Sequence, residues 1–329
     1  MSTTQLPSFD DCTAAARTLS GRIHRTPMFS SRSLGERIGR EAHIKAELFQ
    51  RTGSFKLRGL MNRVAALDGA ERSAGAVTVS AGNAAQAAAL ACAEAGVDLV
   101  VFMPRAASEA KVAATRGYGA SVNLDAADGA EAFALMHALA ERSGRVVLHP
   151  YDDPAVIAGQ GTVGLEICAE IAAPGAVLVP ASGGGLVSGV ALAVKAVAPT
   201  ARVIAVQPEA TPTLRASRAP AALERAQRAP GPAAPTIADA LTAPVFGEVC
   251  LGVCAERVDE VVHLSEEEIR EGMRFIYARA KLACEPGAAV AVAALLAGKV
   301  SDLGEGPVVA IVSGGNVTPA TAAAILAPA

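Results

Sequence analysis

The chain has 329 residues, 51% of them hydrophobic, with a net charge of −3 and a mean hydropathy of +0.35, enough for one large or two modest domains with ample core. It has no Trp, 3% aromatics and no basic stripe, so it lacks both the charge and the stacking surface of a nucleic-acid binder. Its most apolar stretch, residues 288–297, is too short to span a bilayer, and the polar N-terminus carries no apolar signal core, so a cytoplasmic protein acting on small molecules is expected.

In chain order, residues 8–20 have a helical pattern, and a turn at Thr26-Pro27 leads to a short helix near 33–38. A strand is expected at 43–48. The segment Gly53-Ser54-Phe55-Lys56-Leu57-Arg58-Gly59 then sets Lys56 behind a Gly-Ser turn, at the head of the apolar run Leu57, Leu60, Met61, Val64 and Leu67. That spacing predicts a helix starting at or near the lysine. An amine held against packed backbone is partly desolvated, which lowers its pKa and makes it a candidate Schiff-base nucleophile. Most lysines at helix starts are simply solvated, so the reading rests on support from elsewhere in the chain.

From about residue 73 a strand–helix rhythm begins, with strands at 76–79, 98–103, 121–124 and 146–149 and helices at 84–95, 108–116 and 129–142. It restarts with helix 154–171, strand 176–180, helix 186–197 and strand 202–206. Residues 218–235, rich in Ala, Pro and Arg, read as an irregular surface loop. A strand at 258–263, helices at 266–279 and 287–296, a strand at 308–312 and a helix at 318–326 complete the chain. The alternation predicts an α/β fold of two open, parallel-type sheets forming two lobes, with a ligand cleft between them.

Three polar clusters follow expected strands. Ser182-Gly183-Gly184-Gly185 opens a helix, where converging backbone amides and the helix N-terminus make a phosphate cradle; otherwise it is a tight strand–helix turn. Ser80-Ala81-Gly82-Asn83 has the same placement and could hold a carboxylate and a ring oxygen, although Asn83 would equally serve as an N-cap. Ser313-Gly314-Gly315-Asn316 ends the last strand and alone is no more than a turn. Gly159-Gln160-Gly161-Thr162-Val163-Gly164 matches the dinucleotide fingerprint literally, but no strand precedes it and no acidic residue ends the next strand, so its glycines read as helix packing points. The six cysteines are scattered and are expected to be reduced thiols. Cys250 and Cys254 lack companions at ligand spacing, so no metal is expected.

With these clusters assembled, the sequence resembles the pyridoxal-phosphate-dependent serine/threonine dehydratase family, which includes the serine racemases. The likeness runs through Arg25-Thr26-Pro27, residues 52–59, 80–83, His149-Pro150, 157–162, 180–189, 281–286 and 313–317. It implies the fold-type-II architecture of that coenzyme class, with a large cofactor-binding domain at 1–72 and 151–329 and a small mobile substrate domain at 73–150. It also implies pyridoxal 5'-phosphate on Lys56 as a Schiff base, Phe55 against the pyridine ring and Asn83 on the ring hydroxyl. Ser182, Gly183, Gly184, Gly185 and Leu186 would hold the phosphate, and Ser313 would face the ring nitrogen. A neutral hydroxyl there cannot keep that nitrogen protonated, which weakens the ring as an electron sink and favours expulsion of a β-leaving group over transamination. The implied reaction is α,β-elimination from a β-hydroxy amino acid to a 2-oxo acid and ammonia, with the freed Lys56 amine as general base.

Departures narrow the expectation. Ala81 stands where racemizing relatives carry a second serine, so efficient racemization is not expected. Ala84 replaces the family's histidine and makes room at the substrate pocket, which points to a β-substituent larger or differently polar than that of serine, as in 3-hydroxyaspartate or phenylserine. Ser80, Ala81, Asn83 and Ala84 are the expected substrate-binding residues. The divalent-cation site of some relatives uses carboxylates where this chain has Gln207 and Thr213, and no separate regulatory domain is expected. A homodimer is usual in the family. A racemase, a β-replacement lyase, a nicotinamide oxidoreductase using 159–164 and a non-catalytic coenzyme-binding relative are the competing readings.

Overall fold

The computed structural model describes residues 5–216, 223–226 and 234–327. Helix α1 (Phe9–Leu19) leads to β1 (Met28–Ser30), α2 (Arg32–Ile38), β2 (Ala42–Ala46), α3 (Lys56–Ala65) and α4 (Gly69–Ala74). Then come β3 (Ala76–Val79), α5 (Asn83–Ala95), β4 (Leu99–Pro104), α6 (Glu109–Gly117), β5 (Ser121–Ala126), α7 (Gly129–Ser143) and β6 (Val146–Val147). The chain continues through α8 (Pro154–Glu170), β7 (Ala176–Pro180), α9 (Gly185–Val197), β8 (Arg202–Pro208), β9 (Leu214–Ala216), β10 (Leu223–Arg225) and α10 (Glu248–Cys254). It closes with β11 (Glu260–Leu264), α11 (Glu266–Phe275), α12 (Pro286–Leu296), β12 (Val308–Val312) and α13 (Pro319–Leu326).

Among the described residues two large sheets form, a six-stranded one in the order β1-β2-β12-β7-β8-β11 and a four-stranded one in the order β5-β4-β3-β6, beside a two-stranded β9–β10 ribbon. Every pairing in the two large sheets is parallel except the β1–β2 edge. Because successive strand residues face opposite sides, a strand covered on both faces must be apolar throughout. In β7, Ala176 and Leu178 enter the core under α11 and α12, while Val177 and Val179 enter the core under α8, α9 and α10. Strand β12 divides likewise, with Val308, Ala310 and Val312 on one side and Val309 and Ile311 on the other. Helix α3 buries Leu57, Leu60, Met61 and Val64 in the core of the four-stranded sheet, against α5. Residues 56–65 thus share a core with the smaller sheet although they precede it in sequence.

The 159–164 glycines lie inside α8, where neighbouring helices touch it. A Cβ on Gly159 would come within 2.6 Å of the Arg58 carbonyl oxygen, and one on Gly164 within 2.8 Å of the Ala193 Cβ. They are contact points between helices, not a ligand loop.

Several expected elements differ in detail. The strand at 146–149 ends at Val147, and the helix over 266–279 passes after Phe275 into a π-helical turn, Ile276–Ala280. Residues 217–222 and 227–233, most of the expected loop, lie outside the described residues, but within that stretch Leu223–Arg225 forms a strand antiparallel to β9. Among the described residues no helix is long and apolar enough to cross a membrane.

Candidate active site

Strands β3, β7 and β12 each end at one of the polar clusters, and their C-terminal ends open onto a single cavity of about 350 Å³. This is where open parallel sheets present loops and helix N-termini to ligands. Phe55, Lys56, Ser80, Ala81, Asn83, Ala84, Ser182, Gly183, Gly184, Gly185, Leu186 and Ser313, all singled out from the sequence, line it.

Lys56 is the first residue of α3, and the turn before it is tied to the chain leaving β12. The Phe55 amide donates to the Ser313 carbonyl at 3.1 Å, and the Gly315 amide donates to the Gly53 carbonyl at 2.9 Å. Gly53 has φ +73°, which lets the chain reverse there without strain. The Lys56 Nζ donates to the Pro150 carbonyl at 2.9 Å and lies 5.2 Å from the Phe55 ring centre. Burial lowers its pKa to about 8, against the opposing pull of Cys250 and Glu285.

The glycine turn is backed by aromatic and thiol side chains. A Cβ on Gly183 would collide with the Tyr151 ring, and one on Gly184, at φ +106°, would lie 2.6 Å from both Phe246 and Cys250. The Ser182 hydroxyl accepts from the Ala243 amide at 3.0 Å, and the Gly183 carbonyl accepts from the Gly247 amide at 3.0 Å. These bonds leave the turn's front to the amides that open α9, which no helical carbonyl can satisfy. The result is an anion cradle at a helix N-terminus.

On the opposite wall, Asn83 does not act as an N-cap; that position belongs to Gly82. The Asn83 Nδ2 donates to Glu285 Oε1 at 2.7 Å, and its Oδ1 accepts from Asn316 Nδ2 at 2.7 Å. The Ser80 hydroxyl accepts from the Gly82 amide at 3.1 Å. Burial raises the Glu285 pKa to about 7, opposed by the hydrogen bond from Asn83. Burial lowers the pKa of nearby His149, whose Nδ1 accepts from the amides of Tyr151 and Asp152.

Sequence reasoning did not single out Glu285, Asn316, Tyr151 or Lys111, all of which line the cavity. Glu285 carried a usable signal, since a carboxylate between Cys284 and Pro286 at the head of an apolar helix must be buried near a partner. Asn316 belonged to a noticed cluster without a role. Lys111, on α6, reaches across the cavity mouth to Asp239 at 2.7 Å, and nothing in its helical pattern marks that. Gln207 Nε2 donates to the Thr213 hydroxyl at 2.6 Å, so these two positions form a neutral pair.

Residues 19–314 match the family described as pyridoxal-phosphate dependent enzyme. The catabolic L-threonine dehydratase TdcB of Escherichia coli K12 is 41% identical over 311 residues, which is 94% of this chain and 93% of that protein. Among solved structures, maize serine racemase is similar with a TM-score of 0.88 at 33% identity, over 96% of each chain. A threonine deaminase from T.th. follows with a TM-score of 0.85 at 37% identity, over 95% of this chain and 99% of that one.

Proposed function

The chain belongs to the pyridoxal-phosphate dependent enzyme family, and from that premise we propose that it is a dehydratase, releasing ammonia and a 2-oxo acid from a β-hydroxy-α-amino acid by α,β-elimination. The observation that carries this reading is the buried amine of Lys56, its pKa lowered to about 8, in one cavity with the glycine cradle that opens α9.

The residues present fit the coenzyme. The cradle is backed by Tyr151, Phe246 and Cys250 so closely that glycine alone is tolerated there, and Phe55, Asn83 and Ser313 line the same cavity as Lys56. When bound, pyridoxal 5'-phosphate supplies an aldehyde that captures the substrate amine and a conjugated ring that accepts electrons from the Cα–H bond. The amides of Gly183, Gly184, Gly185 and Leu186, with Ser182, are assigned to its phosphate. Ser313 is assigned to the ring nitrogen and Asn83 to the ring hydroxyl. Lys56 would be the attachment point, and its Nζ would take the Cα proton. The depressed pKa keeps a sizeable share of that amine neutral near pH 7–8. Ser80 and the amides opening α5 would hold the substrate carboxylate. The four-stranded sheet, within 73–150, is proposed to carry the substrate and to move against the coenzyme-holding remainder.

Ala84 is 4% exposed and lines the cavity, as do Phe133 and Val79. That apolar wall supports a substrate with a larger β-substituent, an aryl-serine more readily than 3-hydroxyaspartate. The absence of a hydroxyl at Ala81 weighs against racemization. A cytoplasmic homodimer is the proposed state. Ammonia and 2-oxo acid release would be measured over serine, threonine, 3-hydroxyaspartate and phenylserine, for the parent and for Ala84→His. Phenylserine is expected to lead, and its advantage in kcat/KM over serine should shrink by about tenfold in Ala84→His. A parent that prefers serine refutes the substrate assignment, and one that releases no ammonia from any of the four refutes the dehydratase.

A further inference from the structure

The hydrogen bonds around Asn83 have a direction that can be read from one fixed end. Asn316 Nδ2 donates to the Thr52 backbone carbonyl at 2.8 Å, and a carbonyl only accepts, so the Asn316 group on that side is its NH2. The second hydrogen of that NH2 meets the Asn83 side chain at 2.7 Å, so the Asn83 atom facing it is the oxygen. The Asn83 nitrogen is therefore turned to Glu285 Oε1, 2.7 Å away, which takes one of its two hydrogens and leaves the other for the cavity that Asn83 lines. Two glycines make room for this chain of bonds: a Cβ on Gly53 would strike Asn316 Oδ1, and one on Gly314 would strike Glu285 Oε1.

We propose that Asn316 and Glu285 are positioning residues that hold the Asn83 amide with its N–H, never its oxygen, toward the coenzyme's ring hydroxyl. This rests on the functional reading above, in which Asn83 meets that hydroxyl. A fixed N–H donor favours the ionised ring oxygen, whereas an amide oxygen in its place would favour the protonated one. The arrangement also spans the two sheets, since Asn83 opens α5 while Glu285 precedes α12 and Asn316 follows β12. The charged groups that face Glu285 are Asp239, Lys111 and Lys56, so its carboxylate is a buried acceptor within a mixed set of charges.

The variant Asn316→Asp reverses the direction, because a carboxylate cannot donate to the Asn83 oxygen and instead draws the Asn83 nitrogen to itself. The absorbance of the coenzyme-loaded protein, titrated against pH, is expected to shift its ring-hydroxyl midpoint upward by about one unit, with coenzyme affinity about tenfold weaker. A double-mutant cycle separates orientation from the added charge: in an Asn83→Ala background the same Asn316→Asp change is expected to produce no further shift. An unshifted midpoint in Asn316→Asp, or a shift that persists without Asn83, overturns the proposal. If Asn316→Asp does not fold, the double change Asn316→Leu/Glu285→Leu, which removes both the donor and the acceptor that orient Asn83, is read in the same cycle with the same two outcomes. A parent protein that takes up no coenzyme would overturn the functional reading itself, whereas a coloured parent with an unshifted variant overturns only the positioning role.

Discussion

Lys56 shows how far one side chain's chemistry follows from its surroundings. Desolvation at the head of α3 brings its amine to a pKa of about 8, so the neutral, nucleophilic form grows with rising pH, is half-populated there and is nearly complete about one unit higher. Coenzyme capture by the apo-protein, followed as growth of absorbance after mixing, should therefore reach half its limiting rate at about pH 8 and level off by about pH 9, whereas an ordinary solvated lysine would keep gaining rate toward about pH 10 and beyond. Lys56→Ala should show no such absorbance. A rate still climbing well above pH 9 would mean that the amine is not desolvated in solution. The lysine was readable because its signals are local: a turn glycine, a helix start and an apolar stripe within fifteen residues. Glu285 was readable only in part: its place at the head of an apolar helix is a local signal, but its bonding partner Asn83 lies 202 residues away, and Asn316 joins it only through Asn83.

At the scale of elements, glycines decide how closely helices approach. Helices α8 and α9 pack with Gly189 against α8 backbone, where an added Cβ would lie 2.5 Å from the Gly161 nitrogen and collide with the Ile157 carbonyl. Backbone cannot rotate away as a side chain can, so Gly189→Ala should cost about 2 kcal/mol net of its better helix propensity. Gly129, at the start of α7, has nothing within 4 Å of such a Cβ, so Gly129→Ala should be neutral or stabilising by roughly 0.5 kcal/mol. Urea unfolding of both variants checks the pair, and equal effects would deny that contact distance is what matters. The long elements were legible because apolar period and caps agree along them; strands 76–79, 176–180 and 308–312 were expected at the bounds observed. Strand β1 and the β9–β10 ribbon were not, since three-residue strands hold too few alternations to register a period. The helix α10 and the Asp239–Leu241 turn that lines the cavity were not expected either.

Over the whole molecule, α3 is the helix through which the two sheets are joined at the site. Its apolar side lies in the core of the four-stranded sheet, while Arg58, two residues beyond Lys56, turns the other way into a buried ionic network. Its guanidinium bonds Glu47 at 2.7 and 2.8 Å, Glu166 at 2.7 and 2.9 Å, and the Thr162 and Thr26 hydroxyls at 3.1 and 3.2 Å; Lys45 adds a 2.6 Å bond to Glu166. That network anchors the lysine-bearing helix to β2 and α8. Burial alone would raise the pKa of Glu166, but its bonds to Arg58 and then Lys45 hold it below the ordinary carboxylate value. A carboxylate whose folded pKa is depressed contributes stability above its unfolded pKa and loses that contribution as pH falls through the folded value. In Arg58→Leu, Glu166 keeps Lys45 but the buried Glu47 loses its ion-pair partner. A buried carboxylate left without its cation binds protons more tightly in the folded state than in the unfolded one, so acidification relieves it. The variant should be about 3–5 kcal/mol less stable than the parent at pH 8, and that deficit should narrow as the pH is lowered toward about 5, where the parent keeps its full network. Urea unfolding of the apo-proteins at the two pH values measures both deficits. A gap that is equal or wider at the lower pH would show that Arg58 acts by filling space and not by balancing the charge of Glu47 and Glu166.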